Sequence, residues 1–490
     1  MKIFGLKLSS YFYILFSISA IYLYFDWVAS DQIYSIKLDR FELFNIDESL
    51  HYCYAKSALY YPIALINPFA KAGFTTSCLL FLKIFSENIL SLRVMNSIYS
   101  IGVFILMVKI GSFLKLSKKT VILSIIITAF FPLFFLGSIS VINEVMFSFF
   151  LLAAIWSAYK ENFLASALAV SFLPLISQFG FIYLFIWTAW LIKRGKFMLV
   201  ILIFGPTALW TISNIFLLGH SPFYTLYYRA FLMPHPPLDS LVTPQEFANF
   251  YFLTFCPLII LFIFFFVFNR KKYPGDGKLQ LIQTVLVFQL LQFIFEIFIM
   301  PFFYSGMFIY KIRQLIPAVP LLAILTAFIL EKTIQAGKRI KLGNYLYILI
   351  AVLSIIYLPY SINKLQKFPL IKNEFLSPEQ EKSVIEAGAW LKGYCQENNI
   401  ASLVGDGDDL PSSVNRRIWM YAPNKIIYYG TKGLKRIPNT ALNLLTYKSS
   451  PVGALDKCLF LVRNSDKNSV STELKLIKSF PSISLYFYAK

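Results

Sequence analysis

The sequence predicts a mainly α-helical, polytopic membrane protein. About eleven transmembrane spans occupy 1–360, with a large first outer loop at 30–91, and a small soluble α/β domain follows over 361–490. Three observations carry this. The 490 residues are 58% hydrophobic and only 14% charged, with a mean hydropathy of +0.65, whereas soluble domains carry about 45–50% apolar and about 25% charged residues. Apolar runs of about 20 residues, long enough to cross a bilayer core, recur through the first part of the chain. Basic residues gather in every second connecting segment, as the positive-inside rule requires. That sorting also accounts for much of the net charge of +20, so nucleic acid is not an expected partner. Five cysteines without CxxC or regular Cys/His spacing exclude a zinc module and a disulfide scaffold.

The first apolar run, 8–29, exceeds a signal-peptide core and lacks a small-residue cleavage site, so it is expected to stay as an anchor. Spans follow at 92–114, 120–138 and 145–159. The stretch 163–192 is too long for one span and is interrupted at Pro174, Ser177, Gln178 and Gly180, so it is expected to be a hairpin of two helices. Further spans fall at 197–218, 250–268, 279–300, 311–330 and 342–360. With the N-terminus in the cytoplasm, the inner segments hold 17 basic residues against three acidic ones, Glu161, Asp276 and Glu331. The short outer loops hold only Arg229, Lys311 and Arg313. This sidedness puts the 30–91 loop and everything beyond 360 on the extracytoplasmic face of the cell membrane.

A loop of about sixty residues is long enough to need structure or function of its own. Within it, 47–60 reads as a helix and 74–85 as an amphipathic helix able to lie in the interface, with Lys83 on its polar side. In the tail, Ser377, Pro378 and Gln380 form a capping-box start for a helix running to about 398. Strands are expected at 400–404, 425–429, 457–463 and 483–488, with a helix near 471–479. The GDGDD run at 405–409 is compatible with cation or phosphate binding, but lacks phosphate-loop spacing and reads more simply as an acidic turn.

The candidate chemistry lies in the outer segments. Asp47 and Glu48 are paired carboxylates outside the first span, suited to general-base work on an acceptor hydroxyl or amine, or to the N-terminus of a solvated helix. Glu144 follows Asn143 in the very short outer turn between the third and fourth spans, where an ionisable group close to the membrane core is a functional candidate. Lys311 and Arg313 open the tenth span, and can bind a lipid phosphate or snorkel to the interface. Lys71, Lys83 and Arg93 are further phosphate candidates. His51 lies four residues after Asp47, on the same helix face. His220 and His235 stand in a Pro-rich outer loop, either a lid or a connector. Gln292 and Glu296, in the ninth span, are expected to pair inside the bundle. Cys53 with Cys78, and Cys395 with Cys458, are either disulfides or free thiols.

Taken in order, NIDESLHYCYAKSAL after the first span, LKIFSENILSLRVMNSIYS entering the second, Asn-Glu in the next outer turn and Arg313-x-x-x-Pro317-x-x-Pro320 late in the chain resemble the GT-C superfamily of membrane glycosyltransferases. That superfamily includes the protein O-mannosyltransferases and the lipid A aminoarabinose transferases. The likeness in layout spans nearly the whole chain. It implies a polyprenyl-phosphate sugar donor, a lipid, glycan or protein acceptor, and inversion at the anomeric carbon by direct displacement. It also implies that Asp47 is the catalytic acid of the first outer loop with Glu48 beside it, that Glu144 is the acid of the second outer turn, and that Arg313 faces the donor phosphate. Gln314 stands where an aromatic is common, and in place of the Lys-Pro-Pro of some members there is only Lys71. No Trp-Trp-Asp motif is present, unlike in oligosaccharyltransferases.

The function expected is therefore a membrane glycosyltransferase using a lipid-phosphate sugar. No cofactor is firmly implied, although a divalent metal is compatible. The alternative is a transporter or flippase of a lipid-linked saccharide, which calls for charges near the bilayer midplane and repeated halves.

Overall fold

The computed structural model describes residues 2–3, 6–7, 11–31, most of 51–59, 65, 71–85, 89–218 except 178, 257–258, 260, 280–294, 313–336, 340–365, most of 386–398, and 402–406, 427–431, 457–463, 475–479 and 483–489. Asp47, Glu48, Lys311, His220, His235, Glu296 and most of the span expected at 250–268 lie outside these residues. The described part is mainly helical. The chain divides into two compact units, one comprising Met1–Val28, Arg93–Leu209 and Leu226–Leu370, the other Ala29–Leu92, Trp210–Thr225 and Ile371–Lys490.

A short antiparallel pair, β1 (Lys2–Ile3) and β2 (Leu6–Lys7), precedes α1 (Phe12–Asp31). In the first unit, α3 (Ile89–Phe113) leads through a tight turn into α4 (Lys118–Phe130). Ser117 caps α4 by accepting from the Thr120 N–H. Its own N–H donates to both carboxylate oxygens of Glu331, at 3.2 and 3.0 Å. These bonds satisfy donors that a helix start leaves open, and they tie α4 to α12 (Ala318–Ala336). Helix α4 also packs on α13 (Ile340–Leu365), where Thr120 and Tyr347 share a hydroxyl bond of 2.9 Å.

The apolar run expected as one span at 120–138 is instead two helices, α4 and α5 (Pro132–Ser138), meeting at 70°. The cause is Pro132, which lacks an N–H and forces the preceding residue out of the helical region; Phe131 accordingly has φ −73° and ψ 126°. The break leaves helix-end carbonyls open, and the Tyr22 hydroxyl donates to that of Ala129 at 2.8 Å. All seven residues of α5 are buried.

Next come α6 (Asn143–Tyr159), α7 (Phe163–Ser171), α8 (Leu173–Ile176) and α9 (Gly180–Lys193). The hairpin expected over 163–192 is present, with its break at Ser177. A Cβ at Gly180 would lie 2.2 Å from the backbone of Leu173 and Pro174, so only glycine permits this approach. The Trp187 indole N–H donates to the Ser166 hydroxyl at 2.8 Å, which donates to the Ala154 carbonyl at 2.9 Å, joining α9, α7 and α6. Helices α10 (Phe197–Leu218) and α11 (Gln280–Ile294) precede α12.

Among the described residues, four helices are long and apolar enough to cross a membrane, Ile89–Phe113, Phe197–Leu217, Ala318–Gln335 and Tyr345–Lys364, or five if the bent pair is one span. The other apolar helices there are shorter. The chain is an integral membrane protein.

In the second unit, the described residues between 51 and 59 are helical. Helix α2 (Ala72–Ile84) buries Phe74, Cys78 and Leu82 and exposes Leu80, Lys83 and Ile84. Helical residues at 386–398 precede a five-stranded sheet of order β4-β3-β5-β7-β6, made from β3 (Ser402–Asp406), β4 (Ile427–Thr431), β5 (Lys457–Arg463), β6 (Lys475–Ser479) and β7 (Ile483–Ala489). Strands β4, β3 and β5 run parallel, and β7 is antiparallel to both β5 and β6. The helix expected near 471–479 is therefore a strand. Its place at the sheet edge suits Lys475 and Lys478. Cys78 and Cys395 are buried free thiols.

Candidate functional site

The site in the first unit is built on the turn from α5 to α6. Ser140, Val141, Ile142 and Asn143 are all buried here. Two side-chain amides fix this turn. Asn96, on α3, donates to the carbonyls of Ser140 and Ile142, the latter at 2.8 Å. Asn143 donates to the carbonyl of Ile176 at the end of α8, at 3.0 Å. Glu144, expected in the short turn between the third and fourth spans, directly follows this fixed turn. It lies in the first turn of α6 and is only 4% exposed. A carboxylate there gains from the positive end of the helix dipole.

Arg313 comes to the same place from the opposite part of the chain. Residues 313–315 form a single 3₁₀ turn ahead of α12, closed by the Ile316 N–H donating to the Arg313 carbonyl at 2.9 Å. The turn packs close to α5 because Gly137 has no side chain. A Cβ there would stand 2.8 Å from the Ile316 Cδ1. The result is an ion pair, with Arg313 Nε 3.2 Å from Glu144 Oε1 and side-chain exposures of 14% and 5%. Two candidates separated by 169 residues in sequence are thus partners in a largely dehydrated pair.

Beside the pair is a small cavity of about 20 Å³, lined by Glu144, Phe147, Ser177, Tyr183, Gln289 and Gln314 among others. This is room for one or two water-sized groups. Gln289 and Tyr183 were not singled out from the sequence, and Ser177 only as part of the break in the 163–192 run.

The candidates of the second unit form a separate cluster. His51 is 1% exposed and packs edge-on against Phe74, with ring centroids 4.8 Å apart. Lys71 Nζ approaches its Nε2 to 3.5 Å. Burial, reinforced by the Lys71 ammonium, pulls the His51 imidazole well below its ordinary value, so it is neutral at pH 7. Lys71 itself has φ +48° as it starts α2, an unusual backbone for a side chain of this size. Lys83 is exposed on α2, and Arg93, which belongs to the first unit, is half-buried on α3. Among the described residues no group of three or more His, Cys, Asp or Glu is arranged to hold a metal ion.

No protein-family model matches the chain, and no curated protein matches it. Solved structures do. One is ArnT from Cupriavidus metallidurans bound to undecaprenyl phosphate, with a TM-score of 0.57 at 9% identity over 98% of both chains. Another is ArnT of the same organism in the apo state, with a TM-score of 0.54 at 9% identity, covering 90% of this chain and 93% of that one. The chain thus shares the fold of these structures over nearly its whole length, in keeping with the layout that the motif order implied.

Proposed function

We propose that this membrane protein is a glycosyltransferase that takes one sugar from a polyprenyl-phosphate carrier and passes it to an acceptor at the extracytoplasmic face. The observation that carries this is the buried Glu144–Arg313 pair beside a small cavity, in a fold shared with a protein solved with undecaprenyl phosphate bound. The eleven-span topology, with the N-terminus cytoplasmic and the tail outside, belongs to the same proposal.

The reaction is a displacement at the anomeric carbon. The acceptor atom attacks from one face as the bond to the phosphate oxygen breaks on the other, so the configuration inverts. The acceptor proton passes to Asp47, the proposed base, with Glu48 beside it. The departing carrier phosphate takes the electron pair and gains negative charge. A planar guanidinium held by a carboxylate is preorganised to meet that charge, and in a dehydrated site the interaction is stronger than in water. Lys71, Lys311, Lys83 and Arg93 are proposed as further cations for the donor. A neutral His51 beside Lys71 leaves the lysine as the charged member of that pair.

The test is transfer of labelled sugar from a panel of polyprenyl-phosphate donors by the purified protein in proteoliposomes. Asp47→Asn should abolish transfer while inserting normally, and full activity in that variant would overturn the assignment of the base. Arg313→Ala should chiefly raise the donor concentration needed for half-maximal rate.

A further inference from the structure

Gln289 is 5% exposed on α11. Its Nε2 donates to the Gln314 carbonyl at 3.3 Å. A carbonyl only accepts, so this bond settles which way the amide points and leaves Oε1 as its other end. That Oε1 is buried and has no hydrogen-bond partner among the described residues. An acceptor in this state is costly unless some donor reaches it. Gln289 lines the cavity it shares with the Glu144 carboxylate. Two aromatic walls of that cavity, Phe147 and Tyr183, pack edge to face with centroids 5.4 Å apart.

Acceptor oxygens backed by aromatic rings select a group that donates hydrogen bonds from an otherwise aliphatic framework, which describes the hydroxyl or ammonium substituent of a sugar. The volume of about 20 Å³ has room for such a substituent. We propose that the cavity receives one hydroxyl or ammonium substituent of the donor's glycosyl group, and that Gln289 is the specificity residue that reads it. This rests on the transferase reading above and adds to it the place where one donor sugar is told from another. It also separates two tasks within one site, with Arg313 answering to the carrier phosphate and Gln289 to the sugar.

The experiment measures binding as well as turnover. Purified protein in nanodiscs is titrated by native mass spectrometry with a polyprenyl-phosphate sugar and with the bare polyprenyl phosphate of the same chain length. The wild type should prefer the glycosylated lipid by about tenfold, the scale of one good hydrogen bond. Gln289→Met, similar in shape and without the acceptor, should reduce that preference to within about twofold while binding the bare lipid as before. Arg313→Met should weaken both lipids together. Gln289→Glu keeps the length and adds a charge, so it should favour an aminosugar donor over its hydroxyl counterpart by about tenfold relative to wild type, both in binding and in kcat/KM. An undiminished preference in Gln289→Met, no shift in Gln289→Glu, or a wild type that binds both lipids equally would overturn the proposal and leave the transferase reading standing. A wild type that binds neither lipid would overturn both.

Discussion

Replacing Arg313 by methionine removes the cation facing Glu144 and keeps much of the apolar volume. The carboxylate lies 3.2 Å from the guanidinium and its side chain is 5% exposed, so it is left dehydrated when the cation goes. Removing one partner of a buried ion pair costs about 3–5 kcal/mol, because the remaining charge cannot return to water. Arg313 keeps 14% of its surface, which puts the expected loss near the lower end, about 3 kcal/mol. Glu144→Gln strands the other charge and should also destabilise, by less, since an amide oxygen still accepts from the guanidinium. The double variant leaves no buried charge, so its loss should fall short of the sum of the singles by about 1–3 kcal/mol. Transfer should not return with stability, because the guanidinium proposed to face the phosphate is still missing. Unfolding in mixed micelles titrated with SDS, followed by circular dichroism, measures the first quantity, and the proteoliposome assay measures the second. Losses that simply add would refute the coupling, and recovered transfer in the double variant would refute the phosphate role.

Other consequences follow from single contacts. Gly180→Ala should destabilise by about 3 kcal/mol or more, since the new Cβ meets backbone at 2.2 Å. Gly137→Ala, which meets only the tip of Ile316 at 2.8 Å, should cost about 1 kcal/mol; SDS titration compares the two. Asn96→Ala leaves the Ser140 and Ile142 carbonyls without their side-chain donor and should lower both stability, by about 1–3 kcal/mol, and the transfer rate. His51 is held neutral, so its folded pKa lies below the unfolded value of about 6.5. Below that pH the unfolded chain binds a proton that the fold refuses, so the stabilisation is complete above about 6.5 and is lost as pH falls. Limited proteolysis of the segment around His51 across this range should show the loss, and His51→Phe should flatten it.

Much of this was legible in the sequence. Apolar run lengths located the helices, and Pro174 and Gly180 marked the break in the 163–192 hairpin. Glu144 and Arg313 were singled out separately, as ionisable groups at span ends. Their contact was not legible, because it depends on α5 and the Arg313 turn meeting across Gly137. The bend at Pro132 was within reach, since a proline in mid-run pushes its predecessor out of the helix; hydropathy alone concealed it. The 471–479 segment was misread because Thr472 and Glu473 look like a helix start, whereas pairing with β7 decided the outcome. Gln289 had no sequence signal of its own, being one of several glutamines on an apolar helix, and only its bond to the Gln314 carbonyl reveals which of its atoms is left unpartnered.

The most direct test of the central claim is the stereochemistry of a single turnover. The purified protein in liposomes is given a polyprenyl-phosphate sugar of known anomeric configuration, and the product linkage is read by NMR while the released carrier is quantified. The account predicts a product of inverted configuration and one free polyprenyl phosphate for each sugar transferred. A product of retained configuration, or no transfer from any hexosyl, pentosyl or aminosugar donor by folded protein, would contradict it.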